Sequence, residues 1–137
     1  MDNQVGMLNV IIVTPFGTRE VYTVKQLRAP GTMGSFGVLP GHIAFLTTLG
    51  IGEVVLESGS EVIRYAVSGG FLEVLNNKIT ILAETAERAD LIDVIRAQES
   101  KKHALELLKK NSGRDDIQGI RYGLLRAINR LKVAGGR

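Results

Sequence analysis

Asp93 and Arg96 stand three residues apart in the stretch LIDVIRA (91–97). If that stretch opens a helix, Asp93, Arg96, Ser100 and His103 fall at i, i+3, i+7 and i+10 and share roughly one face. Arg126 and Arg130 lie four apart further on. Two arginines in such register grip a chain of phosphates through bidentate hydrogen bonds. A carboxylate such as Asp93 or Glu87 can accept hydrogen bonds from an amino-purine or a ribose. The plainer reading of Asp93 and Arg96 is a helix cap and a surface ion pair, worth less than about 1 kcal/mol. Residue types and spacing alone leave both readings open.

Other chemistry is sparse. The chain has no cysteine, which removes disulfides, thiolate catalysis and cysteine-type zinc sites together. Its two histidines, His42 and His103, belong to no metal-ligand pattern, so no metal is expected. His42 follows a Pro-Gly turn and reads as a structural or interface residue. No phosphate-binding GKS or GKT loop and no Gly-x-Ser-x-Gly elbow is present. Ser68-Gly69-Gly70 sits between strand-like segments rather than before a helix, so it reads as a bend or bulge where backbones approach closely. Catalysis by this chain alone is not expected, and a stand-alone sandwich hydrolase lacks a nucleophile–base pair.

Two kinds of element must position these residues. Up to Ala83 the pattern is β: MLNVIIVT (7–14), REVYTVKQL (19–27), Ile43 to Leu49, GEVVLE and EVIRYAVS around Ser58-Gly59, then FLEVL and KITILA around Asn76-Asn77. Asparagine tolerates the positive φ of a tight hairpin turn. The stretch 29–42, with four glycines and two prolines, forbids a helix. Short strands preceding any helical pattern predict an antiparallel β-sandwich or barrel. From about Asp90 to Asn111 the composition is helical, with Asp90 as N-cap and Asp93 in the first turn. Its apolar stripe is poor: Ile92, Ile95, Leu105 and Leu108. Ser112-Gly113 breaks the run, and Asp115 with Gln118 resembles a capping box. Ile117, Ile120, Leu124, Ile128 and Leu131 predict the buried stripe of a second helix. The fold class is therefore α+β: a sandwich over 1–86 followed by an antiparallel two-helix hairpin over 87–137.

Of the 137 residues, 45% are hydrophobic and 23% charged, as in a folded globular chain. No window approaches the roughly 18 apolar residues of a membrane helix, and no secretory signal is visible. The net charge of +3 is unevenly held: residues 1–83 carry five Lys/Arg and six Asp/Glu, residues 84–137 twelve and eight. A basic C-terminal half suggests an acidic partner. Nucleic acid is the alternative partner, but eight acids and one aromatic, Tyr122, dilute any basic stripe there.

Four linked blocks carry a resemblance: GSFGVLPGH (34–42), LTTLGIGEV (46–54), YAVSGGFLEV (65–74) and AETAERADLIDVIRA (83–97). Together they resemble the epsilon-subunit family of bacterial and chloroplast-type F-type ATP synthases, over nearly the whole chain. The resemblance implies a non-catalytic central-stalk rotor subunit, peripheral on the cytoplasmic face of an energy-transducing membrane (plasma or thylakoid) and not inserted in it. Its sandwich would bind the gamma subunit and sit on the c-ring, helping couple proton flow to ATP synthesis, with Ser35, Phe36, His42, Ser68, Gly69 and Gly70 at the partner interface. Its hairpin would alternate between a folded and an extended state, the extended one meeting the alpha and beta catalytic subunits, including an acidic beta segment, and inhibiting ATP hydrolysis.

The resemblance also gives LIDVIRA a role. Some bacterial members bind ATP on the folded hairpin through Ile/Leu-Asp-x-x-Arg-Ala, which reads here Ile92-Asp93-Val94-Ile95-Arg96-Ala97. Glu87, Arg126 and Arg130 match further ligand positions, and His103 stands where an arginine would help. ATP would thus be a regulatory ligand, with no obligatory cofactor. Ser35 departs from the family's acidic residue in the loop facing the c-ring.

Overall fold

A computed structural model describes residues 6–110 and 116–135, and they fall into two compact units, up to Arg88 and from Ala89. The predicted Asp115 cap lies outside the described residues.

The first unit holds eight strands: β1 (Leu8–Val13), β2 (Arg19–Val24), β3 (Gln26–Gly31), β4 (Gly34–Val38), β5 (Phe45–Thr48), β6 (Gly52–Ser58), β7 (Glu61–Leu75) and β8 (Lys78–Arg88). They pair in the order β2-β1-β8-β7-β6-β3-β4, with β5 on β7. All neighbours are antiparallel except β1 and β8, which run parallel. Leu8, Val10, Ile12, Val54, Leu56, Leu72, Val74, Ile79 and Ile81 alternate inward from these strands and form the core, as period-two patterning requires. Tyr65 joins them, edge-on to Tyr22 and hydrogen-bonded to its hydroxyl.

Three strand boundaries differ from expectation. The run 19–27 breaks at Lys25 into β2 and β3. The β6–β7 turn is Gly59-Ser60, one residue later than predicted, because Ser58 still pairs with Glu61. Asn76 and Asn77 do form the next turn, at φ 50° and 63°, matching the twist that tight hairpins favour.

The largest difference is at Ser68-Gly69-Gly70, which does not separate two strands. β7 runs through it as one 15-residue strand. Its first half pairs with β6 up to Val67 and its second half with β5 from Phe71, while β8 follows it from Tyr65 to Leu75 in one register. The segment is therefore a bend that changes partner, with no extra residue and hence no bulge. Only glycine fits at Gly70: its φ is 109°, and a Cβ there would lie 2.0 Å from the Leu82 carbonyl oxygen.

The second unit begins with a single 3-10 turn, Ala89–Leu91, then α1 (Val94–Lys110) and α2 (Ile117–Gly135). The two helices pack on each other, and a connection of six residues makes them antiparallel neighbours. The predicted stripes are rotated from the observed seam. In α1 the buried positions are Ala97 and Ala104, while Ile95 is 68% exposed and Leu105 is exposed. In α2 Ala127 and Val133 are buried and Ile128 is on the exposed side. The alanines sit at the centre of the contact with Val133, and Leu107, Leu108, Leu124 and Leu131 are half-buried.

Candidate functional site

The first turn of α1 fixes Asp93. The 3-10 turn places Ile92 N–H against the Ala89 carbonyl at 3.4 Å, so α-helical winding cannot start at Asp90 as predicted. Asp93 is the cap instead. Its Oδ1 accepts the backbone N–H of Arg96 at 3.0 Å, and its carbonyl accepts that of Ala97 at 3.0 Å. The bond joining Asp93 to Arg96 thus runs to the backbone amide, and the Arg96 side chain is exposed. The carboxylate still has lone pairs to offer a further donor.

Helical geometry sets the remaining relations. Arg96, Ser100 and His103, all exposed, lie roughly 50–110° to one side of the Ala97–Ala104 seam. Lys101, Leu105 and Lys109 lie on its other side. In α2, Arg130 and Arg126 lie roughly 60–100° to one side of Ala127, and Leu131 lies on the other. One groove of about 490 Å³ contains both Leu131 and the α1 residues Gln98, Lys101, Lys102, Leu105, Glu106 and Lys109. That groove identifies which sides correspond. Arg126 and Arg130 therefore belong to the same flank of the hairpin as Arg96, Ser100 and His103. With the seam on Ala127 rather than Ile128, the two arginines border the junction instead of pointing directly away from it. Arg130 is half-buried; Arg126 is exposed, its guanidinium carbon 4.9 Å from the centroid of the Tyr122 ring. Tyr122 was not among the residues singled out for the site, and its i, i+4 spacing to Arg126 was the available signal.

Glu87 lies in β8 opposite Ala66, inside the first unit, and is half-buried. The expected boundary at 86/87 would cut β8, which continues to Arg88.

Of the predicted interface residues, Ser35 and Phe36 lie on β4, His42 in the connection to β5, and Ser68, Gly69 and Gly70 on β7. Phe45 stacks edge-on with both Phe36 and His42, at 5.4 and 5.7 Å between centroids. The His42 ring also bonds to the Ile43 carbonyl through Nδ1 at 2.8 Å. Exposed Ser35 pairs with Pro30, whose carbonyl accepts the Gly50 N–H at 2.8 Å; the Gly50 carbonyl in turn accepts the Gly69 N–H. This ties Ser35 to the β7 bend through backbone bonds. Ser68 is buried and hydrogen-bonded to Thr85 across the β7–β8 pair. Across the outer side of β5, β7, β8, β1 and β2, register aligns Phe71 with Leu82 and Val13, beside Leu46 and Val21. Phe71, Leu82, Leu46 and Val21 are each at least half exposed, an apolar surface the sequence reading did not single out.

Among the described residues, no helix is long and apolar enough to cross a membrane, and no group of three or more His, Asp or Glu is placed to hold a metal.

Both units match known protein families. Residues 7–89 match the beta-sandwich domain of the ATP synthase delta/epsilon chain, and residues 90–135 its long alpha-helix domain. Together the matches leave no segment for a separate nucleic-acid-binding module. The chain is 42% identical over 129 residues to the ATP synthase epsilon chain of Geobacter sulfurreducens, covering 93% of this chain and 94% of that one. It is 43% identical over 128 residues to that of Bacillus velezensis, covering 93% and 97%. The fold is also similar to a chain in the Euglena gracilis mitochondrial ATP synthase structure of OSCP, F1 and c-ring. There the TM-score is 0.74 at 20% identity, over 90% of this chain and 79% of that one. A chain of the Tetrahymena thermophila mitochondrial ATP synthase central stalk and c-ring gives 0.60 at 15% identity, over 93% and 96%. On these matches, the chain belongs to the ATP synthase epsilon-chain family.

Proposed function

We propose that this chain is a non-catalytic central-stalk subunit of a rotary ATP synthase, whose hairpin restrains ATP hydrolysis and binds ATP in its folded state. The sandwich contacts the gamma subunit and the c-ring. In support, Ser35 and Phe36 lie on β4 and His42 in the connection that follows it, and the sheet carries the exposed Phe71, Leu82, Leu46 and Val21. Lys101, Lys102 and Lys109 on α1 suit an acidic segment, the chemistry that an inhibitory contact with the beta subunit calls for.

The observation that carries the nucleotide reading is the shared flank. The cap residue Asp93 with Arg96, Ser100 and His103 on α1, and Arg126 with Arg130 on α2, present one carboxylate and three guanidinium groups beside a single seam. Three forks of N–H donors suit a triphosphate, and a capping carboxylate with free lone pairs suits a ribose or an amino-purine. A ligand that spans both helices exists as a site only while they are packed, so it favours the folded hairpin by its differential affinity.

Calorimetric titration of the purified chain with ATP tests this, with Arg126→Ala titrated beside it. Saturable binding, weakened by the substitution, is expected. No heat at millimolar ATP refutes the sensor and returns Asp93 to its capping role alone.

A further inference from the structure

We infer that Tyr122 is a positioning residue for the nucleotide site: its ring holds the Arg126 guanidinium in place for the phosphates. This rests on the nucleotide reading above and extends it to a residue that touches Arg126 rather than the ligand.

The geometry is local to α2. Tyr122 and Arg126 are i, i+4 neighbours, with the guanidinium carbon 4.9 Å from the ring centroid, inside the range of a cation–π contact. Both side chains are exposed, so the contact is not forced by burial. An unrestrained exposed arginine samples many rotamers, and ligand binding must freeze them. A guanidinium held over a ring has already lost part of that freedom. Its N–H donors lie in its own plane and remain available for phosphate oxygens. The aromatic contact and the ligand contact therefore use different parts of the same group and do not compete.

The alternatives for Arg126 on its own helix are weak. Glycine at 123 offers no side chain to brace it, although its position lies 3.9 Å from an Arg126 terminal nitrogen. Arg130, one turn on, is a like charge and repels it. The ring is the one aromatic group within the described residues of this unit, which makes its spacing to Arg126 informative.

The test is ATP calorimetry on the full chain with Tyr122→Leu, Tyr122→Phe, Arg126→Ala and the Y122L/R126A double variant. Leucine keeps the apolar bulk without the ring quadrupole; phenylalanine keeps the ring. Y122L is expected to weaken binding roughly two- to fivefold, the scale of an exposed cation–π contact. Y122F should bind like the unsubstituted chain, and the double variant should bind no more weakly than R126A. Helical circular dichroism unchanged in Y122L shows that the hairpin persists. Binding by Y122L equal to the unsubstituted chain overturns the positioning role and leaves the nucleotide reading intact. A double variant weaker than R126A by the full Y122L factor also overturns it, since the ring would then touch the ligand directly. Absence of ATP binding to the unsubstituted chain overturns both.

Discussion

Alanine at Gly70 is a severe perturbation of the sandwich, and alanine at its neighbour Gly69 is a mild one. A Cβ on Gly70 falls 2.0 Å from the Leu82 carbonyl oxygen and 2.8 Å from Ala83 Cα, whereas real Cβ contacts essentially never fall below 3.0 Å. Leu82 would have to retreat by about 1 Å or more. It cannot do so freely, because β8 is paired with β7 on one side and β1 on the other at that residue. The backbone at φ 109° adds strain of about 1–3 kcal/mol for any side chain, and the forced shift a further 1–3. A loss of about 4 kcal/mol is expected for Gly70→Ala. Gly69 has φ 66°, a left-handed conformation costing about 1–2 kcal/mol with a side chain, and the atoms nearest its Cβ are only the carboxylate end of Glu84, which can swing away. Urea unfolding of each variant, followed by circular dichroism and extrapolated to water, measures the difference. Equal losses, within about 1 kcal/mol, would refute the claim that the β7 bend is held by close backbone approach.

The capping role of Asp93 predicts that Asp93→Ala destabilises the start of α1 by about 1 kcal/mol while Asp93→Asn does not, read as hydrogen-exchange protection of the Arg96 and Ala97 amides. If asparagine keeps that protection but loses ATP binding, the carboxylate faces the ligand as well as the cap. Burial, then the hydrogen bond to Tyr22, pushes the Tyr65 hydroxyl pKa far up. Unfolded Tyr65 ionises near pH 10 while the folded side chain stays protonated, so stability should fall as pH rises above about 10. Tyr65→Phe should lack that decline, and parallel curves for both chains would show that another group causes it. Ending the chain after Arg88, rather than within β8, should leave assembly with gamma intact and raise ATP hydrolysis by the complex. Unchanged hydrolysis would rule out an inhibitory hairpin.

The sandwich was readable because its strands alternate: Leu8, Val10 and Ile12 face inward just as their spacing demands. Asn76-Asn77 announced its turn through residue chemistry alone. The continuity of β7 was not readable, since Ser-Gly-Gly is ordinary turn composition. The close approach of Leu82, on the next strand of the same hairpin, turns it into a bend. The start of α1 was misplaced for a related reason. Asp90 and Asp93 are both acceptable caps in sequence, and the 3-10 turn decides between them. The candidate site residues were proposed from type and spacing, but their arrangement on one flank depends on where the seam lies. The stripe of isoleucines and leucines lay to one side of the seam: Ile92 is buried and Ile117, Ile120, Leu124 and Leu131 are half-buried, but the most buried positions of the helices are Ala97, Ala127 and Val133.

That alanine seam bears on how the hairpin works. Ala97, Ala104 and Ala127 each bury little more than a methyl group, about 0.8 kcal/mol apiece. Separating the helices therefore costs far less at the seam than it would for one built of leucines. A ligand present at a hundred times its dissociation constant shifts a folding equilibrium by about 2.7 kcal/mol, the same order as those three contacts together. A seam of large aliphatics would keep the hairpin closed whether or not nucleotide was present, and a site on its flank would then report nothing. Ile95, Leu105, Leu125 and Ile128, left exposed by the rotated seam, are instead available to a partner once the helices open. The same four side chains that look misplaced on a closed hairpin are well placed on an extended one. On the proposed reading, a closed and an extended hairpin would draw on different faces of the same two helices, which is what a two-state element requires.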